Sequence, residues 1–269
     1  KDLSTFFEQW IFRSGAPVLR LEVQSSDVDG RVQGRLLQER PFFALPVPLR
    51  LQGEHGSRET TVAASGRETE FAIGSGGPPL VLEADPDFDV FRRLHPSEIP
   101  PSVNSLRGAA SVRVLLARGL SSQARQAAAT LAAGLGLDSP EMVEAGEVDH
   151  RSLKDSDLLL VGVPQDPGLL STALERGQFS ADDFRLAADS GNPGGNAFFG
   201  VFPHPLRSDG VVALFLPLSP KHAEAVARKV PHYGKYSYLV FEGQTNRAKG
   251  VWPVQSSPLI YRWENRKES

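Results

Sequence analysis

Cysteine is absent from all 269 residues. That removes disulfides, thiolate metal ligands and a cysteine nucleophile together. The absence suits the cytosol and equally an extracytoplasmic compartment, where unpaired thiols are a liability. No apolar run approaches the roughly 20 residues that a membrane-spanning helix requires. An excess of positive charge is missing too: the formal net charge is −3 and the basic residues are scattered, which leaves no footprint for nucleic acid or for anionic lipid. Motifs for metal, phosphate and serine chemistry are also lacking. The six histidines, His55, His95, His150, His204, His222 and His232, include no pair on one helical turn around a glutamate, so no metal ligand set is expected. Ser102 and Ser257 lack a Gly-x-Ser-x-Gly frame. No signal peptide precedes the first helix, and the opening at Lys1 leads us to expect a longer parent chain.

What is present is a globular composition, 40% hydrophobic and 23% charged, at a length that predicts two domains. From Leu3 to Arg13, Leu3, Phe6, Phe7, Trp10 and Ile11 fall on one stripe at helical spacing. So short a helix cannot enclose so heavy an aromatic face, which predicts that residues 1–15 are the last helix of a missing domain and that Phe6, Phe7 and Trp10 are interdomain contacts.

From 16 to 90 the period changes to two. Leu19, Leu21 and Val23, then Val47, Leu49 and Leu51, then Phe71 and Ile73, then Leu80 and Leu82 alternate with polar positions between turn signals. This predicts an all-β sandwich of immunoglobulin-like type. Pro46 and Pro48, which cannot donate to a ladder, assign their strand to an edge. Residues 91–108, with Pro96, Pro100 and Pro101, read as a linker.

From 109 to 263 apolar runs alternate with helical stretches, which predicts an α/β domain with a mixed sheet. Val112–Ala117 and Asp157–Val163 read as buried strands, with a helix capped by Ser121 or Ser122 after the first. Asn196–Phe202 and Val211–Leu216 bracket Ser208-Asp209-Gly210 as a hairpin, and Ser219-Pro220 opens a second helix. Tyr236–Phe241 reads as a last strand, and 264–269 as a disordered tail.

Two strings carry a family resemblance. Phe6-Phe7-Glu8-Gln9-Trp10 with Gly15 and Pro17, and then Asp85-Pro86-Asp87-Phe88-Asp89-Val90-Phe91-Arg92-Arg93-Leu94, resemble the junction and the closing segment of the β-sandwich domain in bacterial members of the aminopeptidase N superfamily. The resemblance covers roughly the first hundred residues. It implies a parent zinc peptidase whose metal and catalytic residues lie in a preceding catalytic domain of the same polypeptide. Neither the His-Glu-x-x-His helix nor the Gly-Ala-Met-Glu-Asn-like strand of that family occurs here. The resemblance therefore transfers no catalytic, metal or cofactor residue to this chain, and zinc belongs to the implied parent.

Local candidates remain. Asp85, Asp87 and Asp89 open like a calcium loop, but Val90 and Pro96 stand where that loop needs glycine and glutamate; a capped or salt-bridged turn is the simpler expectation. The glycine-rich stretch from Ser190 to Asn196 leads into a strand rather than a helix, against the order of a phosphate cradle, and Gly234-Lys235-Tyr236 also lacks the required serine or threonine after the lysine. Glu147, Asp149 and His150 read as a solvated loop. Asn192, Asn196, His204, His232, Tyr233 and Lys235, with Asp189, are the set in the second domain that could join acid, base and anion-binding functions if the sheet brought Phe202 beside Tyr236.

The expectation is thus a non-catalytic accessory region that braces a catalytic domain and limits substrate access or binds a partner. The alternative is an α/β domain that binds or hydrolyses a small molecule in its own right.

Overall fold

The structure is a computed structural model that describes residues 3–27, 29–137, 140–146, 150–187, 195–254 and 256–263. Asn192, Asp189, Glu147, Asp149 and the 264–269 tail lie outside the described residues. The protein is rich in β-structure, with helices gathered mainly in the middle of the chain, and it divides into two compact units: residues up to Ile99 together with those from Val254 onward, and Pro100–Pro253.

In the first unit a short helix, α1 (Ser4–Phe7), runs on through a π-turn at Glu8–Phe12. Strands β1 (Leu19–Ser26), β2 (Arg31–Gln38), β3 (Leu45–Gly53), β4 (Gly56–Ala64), β5 (Glu68–Gly74) and β6 (Pro79–Ala84) follow. β1, β2 and β5 form one antiparallel sheet; β6, β3 and β4 belong to another. Alternate side chains of both sheets, among them Leu21, Leu36, Val47, Leu49, Phe71 and Leu82, meet in one apolar core around Phe43. This is what period-two patterning produces when one face of each sheet is buried.

Instead of lying at an edge, β3 is flanked by β4 and β6. Ladder pairing with β6 begins only at Leu49, however, and beyond it the Pro48 carbonyl accepts from the Asp85 N–H at 2.8 Å. Both prolines thus precede the β3–β6 ladder, near the start of the strand, where proline is tolerated.

The second unit opens with α2 (Val103–Arg107) and β7 (Val112–Leu116). Helix α3 (Ser122–Gly134) is capped by Ser121, whose Oγ accepts from the Ala124 N–H at 3.2 Å. Then come β8 (Met142–Glu144), β9 (Asp157–Val161), α4 (Ser171–Leu174), β10 (Gly177–Phe179), β11 (Phe184–Leu186), β12 (Ala197–Pro203), β13 (Val211–Leu216), α5 (Pro220–Lys229), β14 (Tyr238–Glu242) and β15 (Thr245–Gly250). Seven strands form one mixed sheet in the order β15-β14-β12-β13-β9-β7-β8. β7, β8, β9 and β13 are parallel, while the β12–β13 hairpin is antiparallel, as the Ser-Asp-Gly turn required.

Alternation splits each strand between two cores. Leu159, Val161, Phe199, Val201, Ala213 and Phe215 pack toward α2, α3 and α5. Leu158, Leu160, Phe198, Phe202, Val212 and Leu214 pack toward α4, β11 and Trp252. Gly200 is needed between Phe198 and Phe202, since a Cβ there would lie 2.6 and 2.8 Å from their ring tips. β10 pairs with β11 as a separate two-stranded ribbon.

The chain then returns to the first unit. Residues 260–262, which the sequence places in the second domain, form β16 (Ile260–Arg262) and pair antiparallel with β6.

Candidate functional site

Gln9 fixes the opening segment to the first unit. Its Nε2 donates to the Ala44 carbonyl at 3.0 Å, and its Oε1 accepts from the Ala44 N–H at 2.7 Å. Trp10 stacks on Phe43 at 5.2 Å and meets Phe91 edge-on at 5.5 Å. Arg13 adds a bond from Nη1 to the Phe42 carbonyl and lies over the Phe43 ring. With Gln9 and Trp10 turned inward, the other apolar side chains point out: Phe6 is 53% exposed, Phe7 45%, Ile11 61% and Phe12 79%. Phe6 and Phe7 contact each other edge to face at 5.8 Å. Of the three anticipated contact residues, Trp10 thus serves the anchor and Phe6 and Phe7 form the outer surface, which Phe12, absent from the helical stripe, enlarges. Gln9 carried no sequence signal because a lone glutamine on a helix reads as a solvated position.

Of the aspartate string only Asp85 enters a buried ionic cluster; Asp87 and Asp89 are exposed. Asp85, in a left-handed conformation (φ 52°), accepts from the Val90 N–H at 3.0 Å and from Arg92 Nε at 2.7 Å. Arg92 also donates through both terminal nitrogens to Glu98, at 2.8 and 3.0 Å, in the fork geometry that suits guanidinium and carboxylate. Glu98 accepts further from the His95 N–H at 2.7 Å and from Ser257 Oγ at 2.6 Å. Burial works to raise the Glu98 carboxyl, but the bonds from Arg92, Ser257 and His95 together hold it below the ordinary carboxylate value. Burial likewise opposes the Arg92 charge, and Glu98 and Asp85 outweigh it, so the guanidinium stays protonated. Asp87 pairs on the surface with Arg50 at 2.7 Å. Among the described residues no group of three or more His, Cys, Asp or Glu side chains is arranged to hold a metal ion.

In the second unit the sheet does bring the end of β12 beside the start of β14, with Gly200 opposite Tyr238 and the Val201 N–H bonded to the Ser237 carbonyl at 2.8 Å. The side chains nevertheless part company. Tyr233 and Tyr236 pack against the core beneath α3 and α5 and lie 6.1 Å apart. Lys249 sits over both rings, at 5.4 and 5.1 Å, and Lys235 over Tyr236 at 5.4 Å. His232 is exposed.

His204 belongs to a different neighbourhood, at the corner of the hairpin, where its N–H bonds the Gly210 carbonyl. Its Nδ1 accepts from the Leu206 N–H at 3.0 Å, which places the ring proton on the buried Nε2, on the side of the Leu153 and Ser156 backbone. Burial lowers the His204 pKa and the Arg207 charge adds to the effect, while Asp157 and backbone hydrogen bonds with Leu153 and Ser156 oppose it without reversing it. Asp157 in turn accepts from the Val211 N–H at 2.7 Å and from Arg207 at 2.5 Å. Asn196 is a strut: its Oδ1 accepts from the Gly243 N–H at 3.0 Å, its N–H bonds the Phe241 carbonyl, and its own carbonyl accepts from Ser219. Of the anticipated set, therefore, Tyr233 and Lys235 share a patch, while His204 and Asn196 each have separate structural partners.

No family model matches the chain, and no curated protein matches it either.

Proposed function

We propose that this chain is a non-catalytic accessory region of a larger zinc-dependent aminopeptidase, and that it braces the catalytic domain through the outward face of its opening segment. The observation that carries this reading is the division of labour within that segment. Gln9, Trp10 and Arg13 hold the backbone in place, while Phe6, Phe7, Ile11 and Phe12 remain in solvent. Several bulky apolar side chains exposed on a segment anchored by its own hydrogen bonds suit contact with another protein surface. The two strings that resemble the aminopeptidase N superfamily bound the same unit, and both have structural meaning there: the first supplies the anchor, the second the ionic cluster. On this reading the first unit is an immunoglobulin-like sandwich. The second unit limits substrate access or meets a further partner. Incubating the chain with zinc and amino-acid arylamides tests the assignment: no turnover is expected, and turnover that follows added metal would overturn it.

A further inference from the structure

We infer that residues 100–253 are a module inserted into the first unit, and that residues 256–263 are a strap that closes the host fold behind the insertion. The cores are separate among the described residues. The apolar core of the first unit draws every side chain from positions up to 99 or from 259 and 263, whereas both cores of the second draw only on 103–252.

The strap belongs to both sheets of the host. The Leu259 carbonyl accepts from the Ala84 N–H at 2.8 Å and the Trp263 N–H bonds the Leu80 carbonyl at 3.0 Å, both on β6. The Pro258 carbonyl accepts from the Leu21 N–H on β1 at 2.8 Å, and Trp263 Nε1 donates to Ser26 Oγ at 3.1 Å. Leu259 itself is 1% exposed within the host core. Strand edges that would stand unpaired are thereby covered.

The ionic cluster clasps the strap at its root. Glu98, just before the insertion, accepts from Ser257, just after it, and Ser257 Oγ also receives the Leu259 N–H at 2.9 Å. Arg92 and Asp85, with side chains 2% and 0% exposed, hold Glu98 in place. The chain can thus leave and rejoin the host at one point, and the host takes no core side chain from what lies between. Host integrity depends instead on residues that follow the inserted module.

Hydrogen exchange on the full chain, resolved by peptide, tests this with two variants. Leu259→Asp puts a charge into the host core and should accelerate exchange in β1, β3 and β6 by about a hundredfold or more, with β9 and β13 unchanged. Ser257→Ala removes only the clasp bond and should accelerate the same host strands by roughly tenfold. Equal loss of protection in β9 and β13 would show one cooperative fold and overturn the insertion. Unchanged exchange in β1 and β6 in both variants would overturn the strap.

Discussion

In the second unit Phe198, Phe199, Phe202, Phe215 and Phe241 are fully enclosed, whereas in the first Phe6, Phe7, Phe12, Phe88 and Phe91 stand largely in solvent. Charges show the opposite arrangement. The first unit buries Asp85, Arg92 and Glu98 together, while the ion pair of Asp157 with Arg207 in the second remains partly exposed. A seven-stranded sheet covered on both faces satisfies its own apolar residues. The smaller unit instead fixes its open end with a desolvated charge cluster and keeps surplus aromatic area outside. The contrast separates a unit that encloses its bulky aromatic rings from one that leaves several of them exposed.

Substitutions that strike one unit alone break or sharpen the contrast. The largest effect is expected from Arg92→Gln, which leaves two buried carboxylates without their cation and should cost the first unit about 3–5 kcal/mol. Urea unfolding followed by hydrogen exchange in β6 reads the loss, and β13 should keep its protection. Phe198→Ala removes a ring that Phe179, Phe184 and Phe202 surround and should destabilise the second unit by roughly 3 kcal/mol or more, with the reverse pattern of protection.

Acid separates the units by pH. His204 is neutral and buried, with its pKa lowered, so the unfolded chain binds the additional proton. Stability of the second unit should therefore fall as pH drops below the ordinary histidine value of 6.5. Glu98 has a lowered pKa, so its contribution is present above the ordinary value of 4.5 and is lost as pH falls below it. Exchange in β13 should quicken first on acidification and exchange in β6 later, and His204→Gln should flatten only the first trend. Ser121→Ala removes the cap of α3 and should give the smallest change, about 1 kcal/mol, detectable as faster exchange in the first turn of α3.

Elements with local punctuation were legible in the sequence. The β12–β13 hairpin carries Ser208-Asp209-Gly210, α5 carries Ser219-Pro220, and α3 has its serine cap. Strands that face solvent were not. β4 buries side chains only at Val62 and Ala64, and β15 alternates exposed Thr245, Arg247 and Lys249 with half-buried Asn246, Ala248 and Gly250, so neither shows a bulky apolar period. The pairing of β16 with β6 spans the whole second unit, and nothing local in Ile260–Arg262 marks a partner so distant in sequence. The charge cluster was hidden for a related reason: Arg92 and Ser257 lie in irregular segments and Glu98 in a single short turn, where charges ordinarily read as solvated. The second-unit candidates show the limit of proximity along a strand pair, because His204 follows the end of β12 and Tyr233 precedes β14, and each takes its contacts from its own loop or turn.

The proposed accessory role depends on an apolar surface that the described residues leave uncovered. Hydroxyl-radical labelling of the isolated chain measures that directly, with Phe43 as the enclosed reference. Phe6, Phe7 and Phe12 should oxidise readily while Phe43 stays protected; protection of Phe6 and Phe7 equal to that of Phe43 would contradict the role.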